Sequence, residues 1–275
     1  MYTIHLSVVL LLLVVAVQPS LPAPSRRILL MPAPYASHVP EMSAIGSELL
    51  TKGHDVHIML PPSYPSLDRV KAESGFSVVE YSVAEPDFHS MPASEWTDVS
   101  MRKNPVDDMR LNAYKFMPFC TNPLRDPALA DRLRLLQFDL ALVDSFKDSR
   151  CYWILAHRLG IPYISLTILY EPWLWRVPAI PSFVPFPLGA GAYTERMTFL
   201  ERLWNAWSLV DWTAWPRIDH IDNSFVEKYL PGQTYGTLAA KSLLWLVDTD
   251  AVLEYPRPVM PNEVRTSARL CNLSS

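Results

Sequence analysis

Residues 27–61 read RILLMPAPYASHVPEMSAIGSELLTKGHDVHIMLP. The run Ile28–Met31 is apolar without interruption, as expected of a strand covered on both faces. Between Pro40 and Lys52, Met42, Ile45, Leu49 and Leu50 recur at near-helical spacing, with Glu41 in the first turn and Gly53 just past the end, so a helix is predicted there. Asp55–Leu60 reads as a second strand. The unit is strand, loop, helix, strand, and the handedness rule for such crossovers predicts two parallel strands joined by a right-handed connection.

The pattern continues outward. Ser77–Val83 extends the sheet after a short polar connection. Residues 85–125 have no clean period and are expected to form irregular helices and loops. Pro127–Leu136 reads as a helix with proline at its first position, Phe138–Val143 as a buried strand, Ser149–Leu159 as a helix stopped by Gly160, and Tyr163–Thr167 as the next strand. A proline- and tryptophan-rich passage, LYEPWLWRVPAIPSFVPFP (169–187), precedes helices expected across 194–213 and 218–230 and a strand at Ser242–Val247. Strands alternating with helices define an α/β fold, a Rossmann-like doubly wound parallel sheet. No repeat or linker divides the chain, which is expected to form one domain.

With 275 residues, 49% hydrophobic and 19% charged, the sequence is long and apolar enough for a sizeable core. The formal net charge of −4 and the lack of a basic run interleaved with aromatics argue against nucleic acid as a partner. The N-terminus, with its apolar stretch Val8–Val17 followed by small residues and prolines, has the form of a secretory signal peptide over residues 1–23. That places the chain in the secretory pathway, where Cys120, Cys151 and Cys271 can oxidise; three cysteines leave at least one without an intrachain partner, and spacing does not assign the pair. Asn272-Leu273-Ser274 is a glycosylation sequon. No later stretch approaches the length of a membrane span, so a soluble or peripheral chain without a transmembrane anchor is expected.

In an open parallel sheet, ligands bind outside the carboxyl ends of the strands. That rule selects the loop after the first strand, which carries Tyr35, Ser37 and His38, and the loop after the Phe138–Val143 strand, which opens with Asp144. A histidine backed by an aspartate is a general-base arrangement: the carboxylate fixes the tautomer, and the ring removes a proton from a hydroxyl. His54 and His57 flank a strand start without acidic partners at metal-ligand spacing, and structural or exposed roles are expected for them. There is no G-x-S-x-G elbow, no phosphate-binding G-x-x-x-x-G-K-[ST] loop and no C-x-x-C pair, and LGAGAY (188–193) lacks the third glycine of a dinucleotide fingerprint.

The opening segment, followed in order by FDLALVD (138–144), LGIPYISL (159–166), PSFVPFPLGAGAYTERMTFLERLWN (181–205) and LLWLVDTDAVLEYPRPVMPN (243–262), resembles the UDP-glycosyltransferases, specifically the animal UDP-glucuronosyltransferase group, over roughly residues 26–262. The resemblance implies the N-terminal, acceptor-binding domain of a GT-B glycosyltransferase, in which two Rossmann-like domains face a cleft. It also implies an inverting, metal-independent reaction with no cofactor, the UDP-sugar being a co-substrate. His38 would be the base and Asp144 the residue that orients it. Lipophilic acceptors would suit the aromatic residues Tyr35, Phe116, Phe119, Tyr170 and Trp173.

After Asn262 the chain reads EVRTSARLCNLSS, where the family continues into a donor domain, a membrane anchor and a cytosolic tail. Residues 263–275 are accordingly expected to be a divergent tail, and the chain is expected to lack the donor domain and be inactive alone. An alternative of a different class is a non-catalytic short isoform in the endoplasmic reticulum lumen that binds lipophilic ligands or associates with full-length relatives and modulates them.

Overall fold

A computed structural model describes residues 24–35, 37–82, 120–146, 149–167, 171, 174, 177–186, 193–214, 223–249 and 255–266. Within them the strands are β1 (Arg27–Met31), β2 (Asp55–Leu60), β3 (Ser77–Glu80), β4 (Leu140–Asp144), β5 (Tyr163–Thr167), β6 (Trp245–Val247) and β7 (Glu263–Arg265). The helices are α1 (His38–Thr51), α2 (Leu67–Glu73), α3 (Pro127–Leu136), α4 (Cys151–Arg158), α5 (Phe199–Ala214), α6 (Asn223–Tyr229) and α7 (Tyr235–Ala239). One sheet joins all seven strands in the order β3-β2-β1-β4-β5-β6-β7, every pairing parallel. The order reverses between β1 and β4, the switch point at which a doubly wound sheet opens a crevice.

Alternation along the strands distributes the core between two faces. Leu29 and Met31 of β1 join Met59, Ala141 and Val143 on one face, where Leu129 and Leu133 of α3, Trp153 of α4, Val226 of α6 and Leu238 of α7 cover them. Ile28 and Leu30 join Val56, Ile58, Leu60, Leu142 and Leu166 on the other, under Val39 and Met42 of α1 and Leu67 of α2. Because both faces are covered, neighbouring strand positions are both apolar, which is why β1 reads as an unbroken run rather than an alternation. Helix α1 lies close on the sheet. A Cβ at Gly46 would come within 2.6 Å of Leu30 Cδ1 and 2.8 Å of Phe76 Cζ, so glycine there is a matter of space. Gly53, at φ +83°, takes the left-handed turn that ends α1 and leads into β2.

Several polar groups in this core are paired. Trp153 Nε1 donates to Ser165 Oγ at 3.0 Å, and the Tyr163 hydroxyl donates to the Leu238 carbonyl at 2.6 Å. His57, in β2, is buried with its ring edge-on to Phe138, and the His54 Nδ1 accepts from the Arg26 backbone N–H at 3.3 Å. Cys120 and Cys151, both fully buried, form a disulfide with Cα atoms 5.5 Å apart, which fastens the helical residues 120–125 to the start of α4. Cys271, the segment 1–23 and the sequon lie outside the described residues.

Several elements differ from the sequence expectation. Helix α1 begins two residues before Pro40, which sits in the first turn where its missing N–H costs no helical hydrogen bond. The connection between β2 and β3 contains the short helix α2, and α7 was not anticipated. Residues 263–265, read as the start of a divergent tail, form β7. This edge strand needs only one neighbour, and Glu263 is held by a bidentate pair to Arg257 at 3.0 and 3.2 Å, both side chains only 2% exposed.

The proline-rich passage is pinned by Asn205 of α5, which donates to the Pro181 and Val184 carbonyls and accepts from the Phe186 N–H. On the same helix Phe199, Leu200, Leu203, Trp204 and Trp207 are exposed. Among the described residues no helix is long and apolar enough to cross a membrane.

Candidate catalytic dyad at the carboxyl edge of the sheet

Strands β1 and β4 are hydrogen-bonded neighbours, with Met31 opposite Val143. The chain therefore leaves both strands side by side, and the first residues beyond them share one rim. Pro32 and Pro34 stiffen the exit from β1, and the Val39 N–H bonds back to the Tyr35 carbonyl at 3.2 Å as α1 begins. His38 is the first residue of that helix, and Asp144 is the last of β4.

His38 Nδ1 lies 2.6 Å from Asp144 Oδ2. The same oxygen accepts the Ala33 N–H at 3.0 Å, and Oδ1 accepts the Phe146 N–H at 2.9 Å. Ser149 Oγ lies 3.2 Å from Oδ1 and 2.9 Å from the Phe146 carbonyl, dividing its single proton between two acceptors. Burial pushes the Asp144 pKa up, but the charge and hydrogen bond of His38 and the two backbone N–H groups outweigh it and hold the carboxyl below its ordinary 3.8. Asp144 is thus an ionised acceptor surrounded by donors. It has no proton to give, so His38 Nδ1 carries the hydrogen between them, and in the neutral ring Nε2 bears the lone pair.

The ring's orientation is fixed by packing as well. Tyr35 lies against it with centroids 5.2 Å apart, and Phe146 meets it edge-on, also at 5.2 Å. Tyr35 and Phe146 stand perpendicular to each other at 6.3 Å, forming an aromatic corner around the imidazole. Behind the loop after β4, Arg150 donates to the Ser145 carbonyl and forms a buried ion pair with Glu171. The Ser145 hydroxyl donates to the Leu166 carbonyl at 2.8 Å.

Two further carboxyls share this rim. Glu41 follows His38 by three residues on α1, so the two project from the same side of the helix. Burial, reinforced by the charges of Asp248 and Asp144 and opposed by His38, lifts the Glu41 carboxyl to about 7. Asp248 follows β6 directly, and its own pKa is raised by burial.

The structure brings together three of the residues singled out from sequence: His38 and Asp144 as a bonded pair, with Tyr35 buried against the imidazole. Phe116, Phe119, Tyr170 and Trp173 lie outside the described residues. Phe146, Ser149, Glu41 and Asp248 were missed. The strand-end rule reaches Phe146, Ser149 and Asp248, since they occupy the loops after β4 and β6.

A family profile described as UDP-glucoronosyl and UDP-glucosyl transferase matches residues 26–273. The 2-hydroxyacylsphingosine 1-beta-galactosyltransferase of Mus musculus is 28% identical over 253 residues, 86% of this chain and 44% of that protein. UDP-glucuronosyltransferase 2B7 of Rattus norvegicus is 28% identical over 257 residues, 86% of this chain and 47% of that protein. The chain spans somewhat under half the length of these curated relatives. Among solved structures, that of spinosyn rhamnosyltransferase SpnG aligns with a TM-score of 0.49 at 15% identity, covering 86% of this chain and 49% of that one.

Proposed function

Because the chain belongs to the UDP-glucoronosyl and UDP-glucosyl transferase family, we propose that it serves the transfer of a sugar from a UDP-sugar to a hydroxyl of a lipophilic small molecule, with inversion at the anomeric carbon. His38 Nε2 takes the acceptor's hydroxyl proton as the acceptor oxygen attacks. A bond forms from that oxygen to the anomeric carbon, the bond from the anomeric carbon to UDP breaks on the opposite face, and UDP leaves with the electron pair. Asp144 keeps the proton on Nδ1 before the reaction and balances the imidazolium after it. The observation that carries this reading is the His38–Asp144 contact at 2.6 Å, set where β1 and β4 leave the sheet.

The acceptor is read as lipophilic because the aromatic rings of Tyr35 and Phe146 pack against the imidazole. In this reading the donor is held chiefly by the half of the relatives' length that this chain does not match. A secretory location in the endoplasmic reticulum lumen is supported by the Cys120–Cys151 disulfide, which requires an oxidising compartment to persist.

The test uses the full-length natural protein, an α-linked UDP-sugar and a phenolic acceptor, with the product's anomeric configuration read by NMR. A β-linked product is expected. An α-linked product, or release of UDP that does not depend on the acceptor, would reject the proposal.

A further inference from the structure

Asp144 meets its partners from two directions. On the Oδ2 side stand His38 and the Ala33 N–H, both from the exit of β1, and on the Oδ1 side stand the Phe146 N–H and Ser149 Oγ, both from the loop after β4. A carboxylate pinned at both oxygens cannot turn about its Cβ–Cγ bond unless one side lets go, so the shape of the loop sets the direction in which Oδ2 faces the imidazole. Ser145 opens that loop with its N–H and its hydroxyl both on the Leu166 carbonyl, at 2.9 and 2.8 Å. Its own carbonyl accepts from Arg150 Nε at 3.4 Å, and Arg150 Nη2 pairs with the Glu171 carboxylate. Glu171 lies beyond the end of β5, and its backbone carbonyl accepts the N–H of Leu174, a core residue, at 3.0 Å. The contacts run from a core-anchored turn after β5, through one guanidinium, to the loop that holds Asp144.

Arg150, Glu171, Ser145 and Ser149 are all buried. Taking a guanidinium and a carboxylate out of water costs about what their attraction returns, so the pair is better accounted for by what it holds in place than by stability. The guanidinium suits a bridging role because its donors are fixed in one plane: Nε reaches the loop carbonyl while Nη2 reaches the carboxylate, and neither moves without the other. Resting on the reading of the dyad as the sugar-transfer site, we infer that Glu171 and Arg150 are positioning residues for it: the pair clamps the loop after β4 in the shape that keeps the Phe146 N–H and Ser149 Oγ on Asp144, and so aims the His38 imidazole.

The full-length natural protein is compared with its Glu171→Gln variant, which keeps the side chain's shape and removes its charge, and with Arg150→Lys, which keeps the charge and removes the fork. Single-turnover transfer rates are read together with donor and acceptor Kd. In each variant the rate is expected to fall by about tenfold to a hundredfold, the effect of a displaced catalytic group, while both Kd values stay within about twofold of the parent's. The same substitutions are then made in the Asp144→Asn background, where they are expected to lower the rate by less than about threefold, because the group they position is already disabled. A parental rate in either folded variant, or a loss of undiminished size in the Asp144→Asn background, would overturn the inference and leave the transferase reading intact. Should one variant fail to fold, the other carries both comparisons. If Asp144→Asn itself transfers at the parent's rate, the reading of the dyad fails and the inference falls with it.

Discussion

His38 Nδ1 and Asp144 Oδ2 lie 2.6 Å apart although 106 residues separate them in the chain. The contact follows from topology. Placing β1 and β4 side by side at the centre of a parallel sheet brings their exits together, and each exit contributes one member of the pair. The carboxylate is saturated by donors before any ligand arrives, so the imidazole is oriented in advance. Such preorganisation limits the reorganisation left for the reaction itself.

The carboxylate's role separates cleanly from its bulk. In the Asp144→Asn variant an amide NH2 must face either His38 and Ala33 or Phe146 and Ser149, leaving a buried donor opposite another donor. The expected cost is about 1–3 kcal/mol of stability, read from denaturant unfolding. For the natural full-length protein kcat is expected to fall by about 10²–10⁴ with the acceptor KM little changed, because the imidazolium loses its counter-charge and its enforced tautomer. A normal kcat would show that Asp144 only braces the loop.

Glu41 sets a pH dependence of stability. Burial first, then Asp248 and Asp144, raise its carboxyl from 4.5 to about 7. The native state therefore holds this proton across an interval in which the unfolded chain has released it, and stability falls as pH rises from about 4.5 to about 7. The full penalty above that interval is on the order of 3 kcal/mol. The Glu41→Gln variant, which cannot ionise, is expected to be more stable than the parent by about 2–3 kcal/mol at pH 8 and nearly equal to it at pH 4.5. Chemical denaturation at the two pH values checks this, and an identical difference at both would refute it. Asp144 acts in the opposite sense: with its pKa lowered, its contribution is complete above 3.8 and is lost as the solution is acidified through the folded value.

The Cys120–Cys151 bridge closes a loop with a sequence separation of 31. Loop-closure entropy puts its stabilisation at about 3–4 kcal/mol. Paired Cys120→Ala and Cys151→Ala substitutions are expected to lower the unfolding free energy by about that amount relative to the oxidised parent. Treating the parent with reductant should reproduce most of the loss, and unchanged denaturation midpoints in both cases would mean that the bridge constrains nothing the fold requires.

Much of the sheet is legible in the sequence because burial on both faces makes β1, β2, β4 and β5 read as apolar runs bounded by turn residues. Strand β7 was not, since Glu-Val-Arg lies at an edge and its Glu263 is satisfied by Arg257, a partner no local pattern announces. Helix α2, with seven residues, is too short for its period to register. His38 and Asp144 were found because strand ends point to the ligand edge. Glu41 had been read as a first-turn helix acid; the burial that raises its pKa comes from tertiary packing. The disulfide was open for the same reason, as three cysteines offer three pairings and only the packing of residues 120–125 on α4 chooses among them.

The central claim is that His38 is the base. The most direct measurement is the single-turnover rate of sugar transfer by the full-length natural protein, parent against His38→Ala, with acceptor and donor binding monitored in parallel. The predicted result is a rate lower by about 10²–10⁴ with both ligands still bound. Transfer by the variant at the parent's rate would contradict the assignment.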